Sequence, residues 1–97
     1  MIPRPHTWRS PAYLAWVRDM PCIVCAAPAP SEPHHCTTAG LRLKCSDCLV
    51  IPVCRSCHRA IQEQRWTDLL LRYHFGRAEM WRAVATLMEK WFTQEVT

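Results

Sequence analysis

No stretch of this sequence stays apolar long enough to cross a membrane, and its opening, MIPRPHTWRS, lacks the apolar core of a secretory signal. The expected location is therefore the cytoplasm, where thiols stay reduced and disulfide scaffolds are rare. Internal repeats and low-complexity segments are missing as well, which argues against a repeat array. Glycine occurs only twice, so Gly40 marks a turn and Gly76 the end of a helical segment. Lysine is equally scarce: two stand against ten arginines, and the basic character rests on the side chain that grips phosphate bidentately.

What is present fits one domain. Ninety-seven residues bury only a modest share of their surface, so a metal staple would contribute usefully to stability. A hydrophobic share of 49% and five tryptophans supply core material and argue against disorder. The net charge of +4 suits a nucleic-acid partner, and a solvated surface accounts for it equally well. Seven cysteines is an odd number, and two of the three Cys-x-x-Cys pairs have the spacing of a metal site, so metal binding is a better reading than disulfides.

Residues 1–9 carry prolines, arginines and His6 without periodicity and read as an extended N-terminal arm; residues 10–97 read as a single domain with a core over 21–65 and C-terminal helices over 67–94. Ser10 before Pro11 starts a helix on which Tyr13, Leu14, Trp16 and Val17 recur at helical spacing, until Pro21 stops it. The stretch AAPAPSEP cannot be regular helix and delivers the chain to His34. Leu49 to Val53 reads as a short buried strand, with Pro52 arguing for an edge position. Helical spacing then runs from Arg55 to about Arg65. Thr67 caps a segment through Tyr73 that ends around Gly76, and a longer helix covers Arg77 to Thr93. On it Met80, Trp81, Val84, Leu87, Met88, Trp91 and Phe92 form one stripe, which is core and, in so small a domain, also a possible dimer face; monomer and homodimer both stay open.

The chemistry concentrates between Pro21 and Gln62. Cys22, Cys25, Cys54 and Cys57 form two tight knuckles that can present four thiolates tetrahedrally to a structural zinc ion, Zn2+. Three histidines remain. His58 sits on the first turn of the helix that follows, and His34 and His35 lie at the end of a loop or on a strand. Neighbours on an extended strand point to opposite sides, so one of the doublet can share a metal with His58 while the other faces a substrate. A neutral imidazole serves as ligand or as general base near neutral pH.

A histidine doublet, a turn, a short apolar strand and Cys-x-x-Cys-His opening a helix resemble the HNH (ββα-metal, His-Me finger) nuclease motif in its zinc-stapled form. More narrowly, YLAWVRDMPCIVC, PHHC and GLRLKCSDCLVIPVCRSCHRAIQ are similar to phage and prophage recombination-enhancement, RecA-dependent nucleases and their small relatives, over about residues 11–62. The resemblance implies an α+β fold: a zinc-stapled ββα-metal core flanked by an N-terminal helix and C-terminal helices. It implies a DNA endonuclease in a bacterial host cell, with a recombinase filament as a possible partner. It makes His34 and His58 ligands of a catalytic divalent metal such as Mg2+, and His35 the general base that activates water. Arg42, Lys44, Arg55 and Arg59 flank the site as candidate phosphate contacts.

Two positions depart from that motif. Gln62 stands one helical turn after His58, where a third histidine is frequent, and offers a weaker amide oxygen; the middle asparagine is missing from LVIPVC. Asp47 can orient His35 by accepting its other N–H, or cap a turn. Cys45 and Cys48 form a third Cys-x-x-Cys pair that, with Cys36 and one doublet histidine, would make a second zinc site. The chain would then be a catalytically inactive zinc module that binds nucleic acid or a protein partner.

Overall fold

In the computed structural model, residues 8–36 and 46–94 are described. Their element order is α1 (Pro11–Arg18), β1 (Glu32–His35), β2 (Val50–Val53), α2 (Arg55–Gln62), α3 (Trp66–Tyr73) and α4 (Arg77–Thr93). This is a small α+β domain. No helix among the described residues is long and apolar enough to cross a membrane. The turn expected at Gly40 and residues 1–7 of the arm lie outside the described residues.

Strand β2 is the centre of the fold, because every one of its residues is buried. Alternation sends Ile51 and Val53 into a core with the knuckle cysteines, α2, α3 and α4, while Val50 faces a second core around Tyr13 and Val17 of α1. A strand covered on both faces reads as a continuous apolar run, which is why LVIPV shows no polar alternation. The second core is aromatic: Tyr13 packs edge-on against Trp8 and Trp91 at centroid distances of 5.5 and 5.2 Å, with Trp16 beside both Tyr13 and Trp91. Trp8 and Arg9 end the expected extended arm; Trp8 packs against this core and its carbonyl accepts the backbone N–H of Asp47 at 2.9 Å.

Strands β1 and β2 pair antiparallel, with Pro33 opposite Pro52 and His34 opposite Ile51. Bonded and non-bonded pairs alternate in such a ladder. The Cys36 N–H donates to the Leu49 carbonyl at 2.7 Å, which places the even-numbered residues of β1 at bonded positions and the two prolines opposite each other at a non-bonded one. Neither ring removes a donor the ladder needs. The outward-facing Pro52 carbonyl instead accepts Ile23 N–H at 2.9 Å, tying the first knuckle to the sheet. The edge position expected of Pro52 is met in this two-stranded sheet.

The helix ends show what fixes their lengths. Ser10 caps α1, its Oγ accepting the Tyr13 N–H at 3.1 Å, and Asp19 ends the helix before Pro21. Helix α2 stops at Gln62, short of the Arg65 expected from spacing, because Gln64 takes a left-handed φ of 56°. Gln64 N–H then reaches the Ile61 carbonyl and Arg65 N–H the Ala60 carbonyl, both at 2.9 Å, the paired bonds of a Schellman end. Helix α3 starts at Trp66, so Thr67 falls inside the first turn instead of capping it, and left-handed His74 ends the helix. Gly76 instead caps α4, where its N–H donates to Glu79 Oε1 at 2.8 Å; a Cβ there would sit 2.8 Å from Leu70 Cδ2. Helix α4 spans the expected residues, but its stripe is divided: Met80, Val84 and Leu87 are buried, whereas Trp81 and Phe92 are exposed.

Candidate functional site

Two knuckles meet beside the start of α2. In the first, the Cys22 N–H donates to the Ala27 carbonyl and the Ala26 N–H to the Cys22 carbonyl, both at 2.9 Å. Each cysteine pair then repeats one contact: Cys25 N–H points at Cys22 Sγ and Cys57 N–H at Cys54 Sγ, both at 3.5 Å. The four sulfurs lie within 4.8 Å of one another, and Cys25 Sγ is 3.7 Å from Cys54 Sγ. Tetrahedral zinc with bonds of about 2.3 Å sets its thiolates about 3.8 Å apart, so the cluster can hold a metal ion such as zinc. Ionising these thiols together would call for a cation. Burial and the adjoining sulfurs push the Cys57 thiol well up, and burial raises Cys25 too. For Cys22 burial acts upward as well, but N–H groups of Cys25, Cys54 and Val24 outweigh it and bring the thiol down to about 7. Four thiolates in this space become compatible when a divalent ion offsets their repulsion.

Among the described residues, the other cysteines, Cys36 and Cys48, do not join this cluster. Cys36 Sγ lies 3.6 Å from the His34 carbonyl, and Cys48 packs into the aromatic core, where burial, followed by Cys48, drives the Tyr13 hydroxyl up to about 12. Cys45 lies outside the described residues. Among the described residues, only Cys22, Cys25, Cys54 and Cys57 bring three or more ligand-type groups together.

The histidines stand on β1 and α2 and divide as alternation requires. His34 faces His58, the ring centroids 5.1 Å apart and the planes at 76°. Burial, then the positive potential of His58 and His35, lowers His34 to about 4, so it is a neutral imidazole with a lone pair at neutral pH. His58 Nδ1 is 2.8 Å from Glu32 Oε1. An ionised carboxylate can only accept, so Nδ1 carries the proton and Nε2 is left as the donor atom for a metal. The hydrogen bond from His58, followed by the one from Arg55 at 3.5 Å, holds the Glu32 carboxyl below the usual carboxylate range. His35 turns to Asp47, with Nε2 3.3 Å from Oδ1. By the same reasoning its Nδ1 is the basic nitrogen. Asp47 is nearly buried and also accepts the Ser10 N–H at 2.7 Å through Oδ2, with Arg9 Nη1 3.6 Å from Oδ1. One carboxylate thus joins the start of α1 to the histidine.

A cleft of about 590 Å³ opens beside these rings, lined by His34, His35 and Gln62 together with Gln64, Trp66, Arg77 and Trp81. Gln62 therefore reaches the same space as the doublet, whereas Arg55 and Arg59 lie exposed along α2 and Arg55 pairs with Glu32. Arg42 and Lys44 lie outside the described residues. Sequence reasoning missed Glu32 and the α4 side of the cleft. Glu32 was findable: it is two residues before His34, hence on the same face of a strand, if Pro33 is accepted within that strand. Arg77 and Trp81 carry no such signal, since only tertiary packing brings α4 to the histidines.

No solved structure matches this chain. It is similar to the Uncharacterized protein YdfU of Escherichia coli (strain K12), at 33% identity over 63 residues; these make up 62% of this chain and 18% of that protein, so the chain spans under a fifth of this relative's length. The family described as "Protein of unknown function (DUF968)" matches residues 1–70, a span that holds the cysteine cluster, the histidines, Asp47 and Gln62, and the chain belongs to that family.

Proposed function

We propose that this chain is a metal-dependent DNA endonuclease of the zinc-stapled ββα-metal (HNH) type, hydrolysing phosphodiester bonds. The observation that carries this reading is the division of labour among three imidazoles on a β1–β2–α2 unit: His34 faces His58 at 5.1 Å, while His35 is held by Asp47 at 3.3 Å. His34 and His58 would hold the divalent ion, and Glu32 turns His58 so that Nε2 is presented. Two imidazole nitrogens would suit a first-row transition ion better than Mg2+, a hard cation that prefers oxygen ligands. When bound, the ion supplies charge stabilisation at the phosphate and the leaving 3′ oxygen. His35 Nδ1 accepts the proton of the attacking water, and Asp47 keeps the tautomer that leaves this nitrogen free. Gln62 stands at the cleft as a weak third ligand or a water-holding amide. Arg55 and Arg59 on α2 contact flanking phosphates, and the four cysteines fix α2 at its first turn. The resemblance adds a phage or prophage setting and a recombinase filament as partner.

Plasmid nicking with Mg2+ or Mn2+ tests the assignment. His35→Ala is expected to lower the nicking rate by about 10²–10⁴-fold, the usual worth of a general base. Wild-type protein that leaves supercoiled plasmid intact with both metals, or an alanine variant that cuts equally well, sinks it. A non-catalytic zinc module is the second reading, favoured by Gln62 in place of a histidine ligand and by the absence of a three-ligand group at the histidines among the described residues. Metal content separates the two: one tightly held zinc per chain fits the nuclease, and two fit the module.

A further inference from the structure

We propose that the cleft beside the histidines is a stacking site for one unpaired nucleobase of single-stranded DNA, with Trp81 and the Arg77–Trp66 pair as its platform. Three tryptophans, Trp8, Trp16 and Trp91, are spent in the aromatic core. Trp81 is not: it lines the cleft with 41% of its surface exposed, on a helix whose neighbouring Met80 and Val84 are buried. Arg77 precedes Trp81 by one helical turn and so shares its face, and the Arg77 guanidinium lies 5.2 Å from the centre of the Trp66 ring. An indole, and a guanidinium already seated on a second indole, present flat faces of the kind on which bases stack.

The remaining walls suit a nucleotide. Among the described residues no carboxylate lines the cleft, whereas Arg77 contributes a cation, and the amides of Gln62 and Gln64 supply donors and acceptors for a base edge. His34 and His35 border the same space, so a base on the platform sets its own phosphate toward them. A volume of about 590 Å³ falls in the range that encloses a small ligand and is too small for a duplex. In a duplex both faces of each base are covered by its neighbours, so only an unpaired or extruded base offers the face this platform needs. The inference deepens the nuclease reading for the phosphate and stands apart from it for the platform.

The test is fluorescence anisotropy of a labelled mixed-sequence oligonucleotide, single-stranded or annealed to its complement, with the zinc-loaded 97-residue chain and no added Mg2+ or Mn2+. The single strand is expected to bind about tenfold or more tighter than the duplex. Trp81→Leu is expected to remove about tenfold of single-strand affinity, and Trp81→Phe to retain most of it, with duplex binding unchanged in both. Because Trp81 is exposed, thermal melting of each variant should match the wild type. Equal affinity for single strand and duplex, or wild-type single-strand binding by Trp81→Leu, overturns the platform even if plasmid is nicked. Trp81-dependent single-strand binding by a protein that nicks no plasmid upholds the platform and overturns the nuclease reading alone.

Discussion

Asp47→Asn separates the two tasks of the carboxylate that joins α1 to His35. One oxygen accepts the Ser10 N–H at 2.7 Å, and the other faces His35 Nε2 at 3.3 Å with Arg9 at 3.6 Å. A hydrogen bond to a charged acceptor is worth about 1.5–3 kcal/mol and a neutral one about 0.5–1.5, so the amide, if its oxygen keeps Ser10, loses about 1–1.5 kcal/mol. The half-exposed Arg9 pair adds at most a few tenths. For a domain of this size that total lowers Tm by roughly 5–10 °C. The amide NH2 then faces His35 and donates, which forces Nε2 to accept and moves the ring proton to Nδ1, the nitrogen assigned as base. Nicking should fall by about 10²–10⁴-fold. Asp47→Ala removes both contacts and leaves the Ser10 N–H unpaired, for a further cost of about 1–3 kcal/mol, yet it frees His35 to choose its tautomer. The alanine variant should therefore melt lower than the asparagine variant and cut faster. Circular-dichroism melts and initial nicking rates, both below the melting range of the weaker variant, read the two orders. If alanine ranks below asparagine in both, or if asparagine cuts at the wild-type rate, Asp47 does not set the tautomer.

Three further outcomes follow from the same geometry. Cys57→Ser should abolish stoichiometric zinc, measured by atomic emission on purified protein, and unfold the chain, since structural zinc in small domains contributes on the order of 10 kcal/mol; a folded variant that still carries one zinc per chain would move the metal elsewhere. Glu32→Gln should weaken Mn2+ binding by about 10–100-fold in calorimetric titration while leaving Tm nearly unchanged, because Glu32 acts on His58 at the half-exposed rim; unaltered affinity refutes the orienting role. His34, lowered from 6.5 to about 4, refuses a proton that the unfolded chain accepts in that window. Its contribution to stability is therefore complete above about pH 6.5 and is lost as pH falls toward 4, so in buffers without added divalent metal His34→Gln should show a shallower acid limb than wild type in denaturant titrations. Parallel limbs contradict this.

Much of the fold was legible because local signals and tertiary packing agree. Ser10-Pro11 and Pro21 bound α1, the continuous run at Val50–Val53 marks the strand covered on both faces, and the two Cys-x-x-Cys pairs do meet. Where the reading slipped, a side chain took a conformation its type does not advertise. Gln64 and His74 both occupy left-handed φ of 56°, positions for which glycine is the usual marker, so spacing alone carries α2 on to about Arg65 and α3 on to about Gly76. Pro33 hid the start of β1, and with it Glu32. The position of α4 over the histidines depends on contacts between residues far apart in the chain, and no spacing within α4 announces it.

Pro33 and Pro52 face each other where the ladder exchanges no hydrogen bonds, and this has a bearing on how securely β1 is aligned. A slip of one residue would turn one of the two strands over and carry its proline to a bonded position, forfeiting a backbone hydrogen bond worth about 1 kcal/mol. Were β1 the strand to turn, the imidazole beside His58 and the imidazole beside Asp47 would trade places. The paired rings thus act as a notch and key: residues with no donor and no charge ensure that two neighbouring, chemically identical side chains are never mistaken for one another.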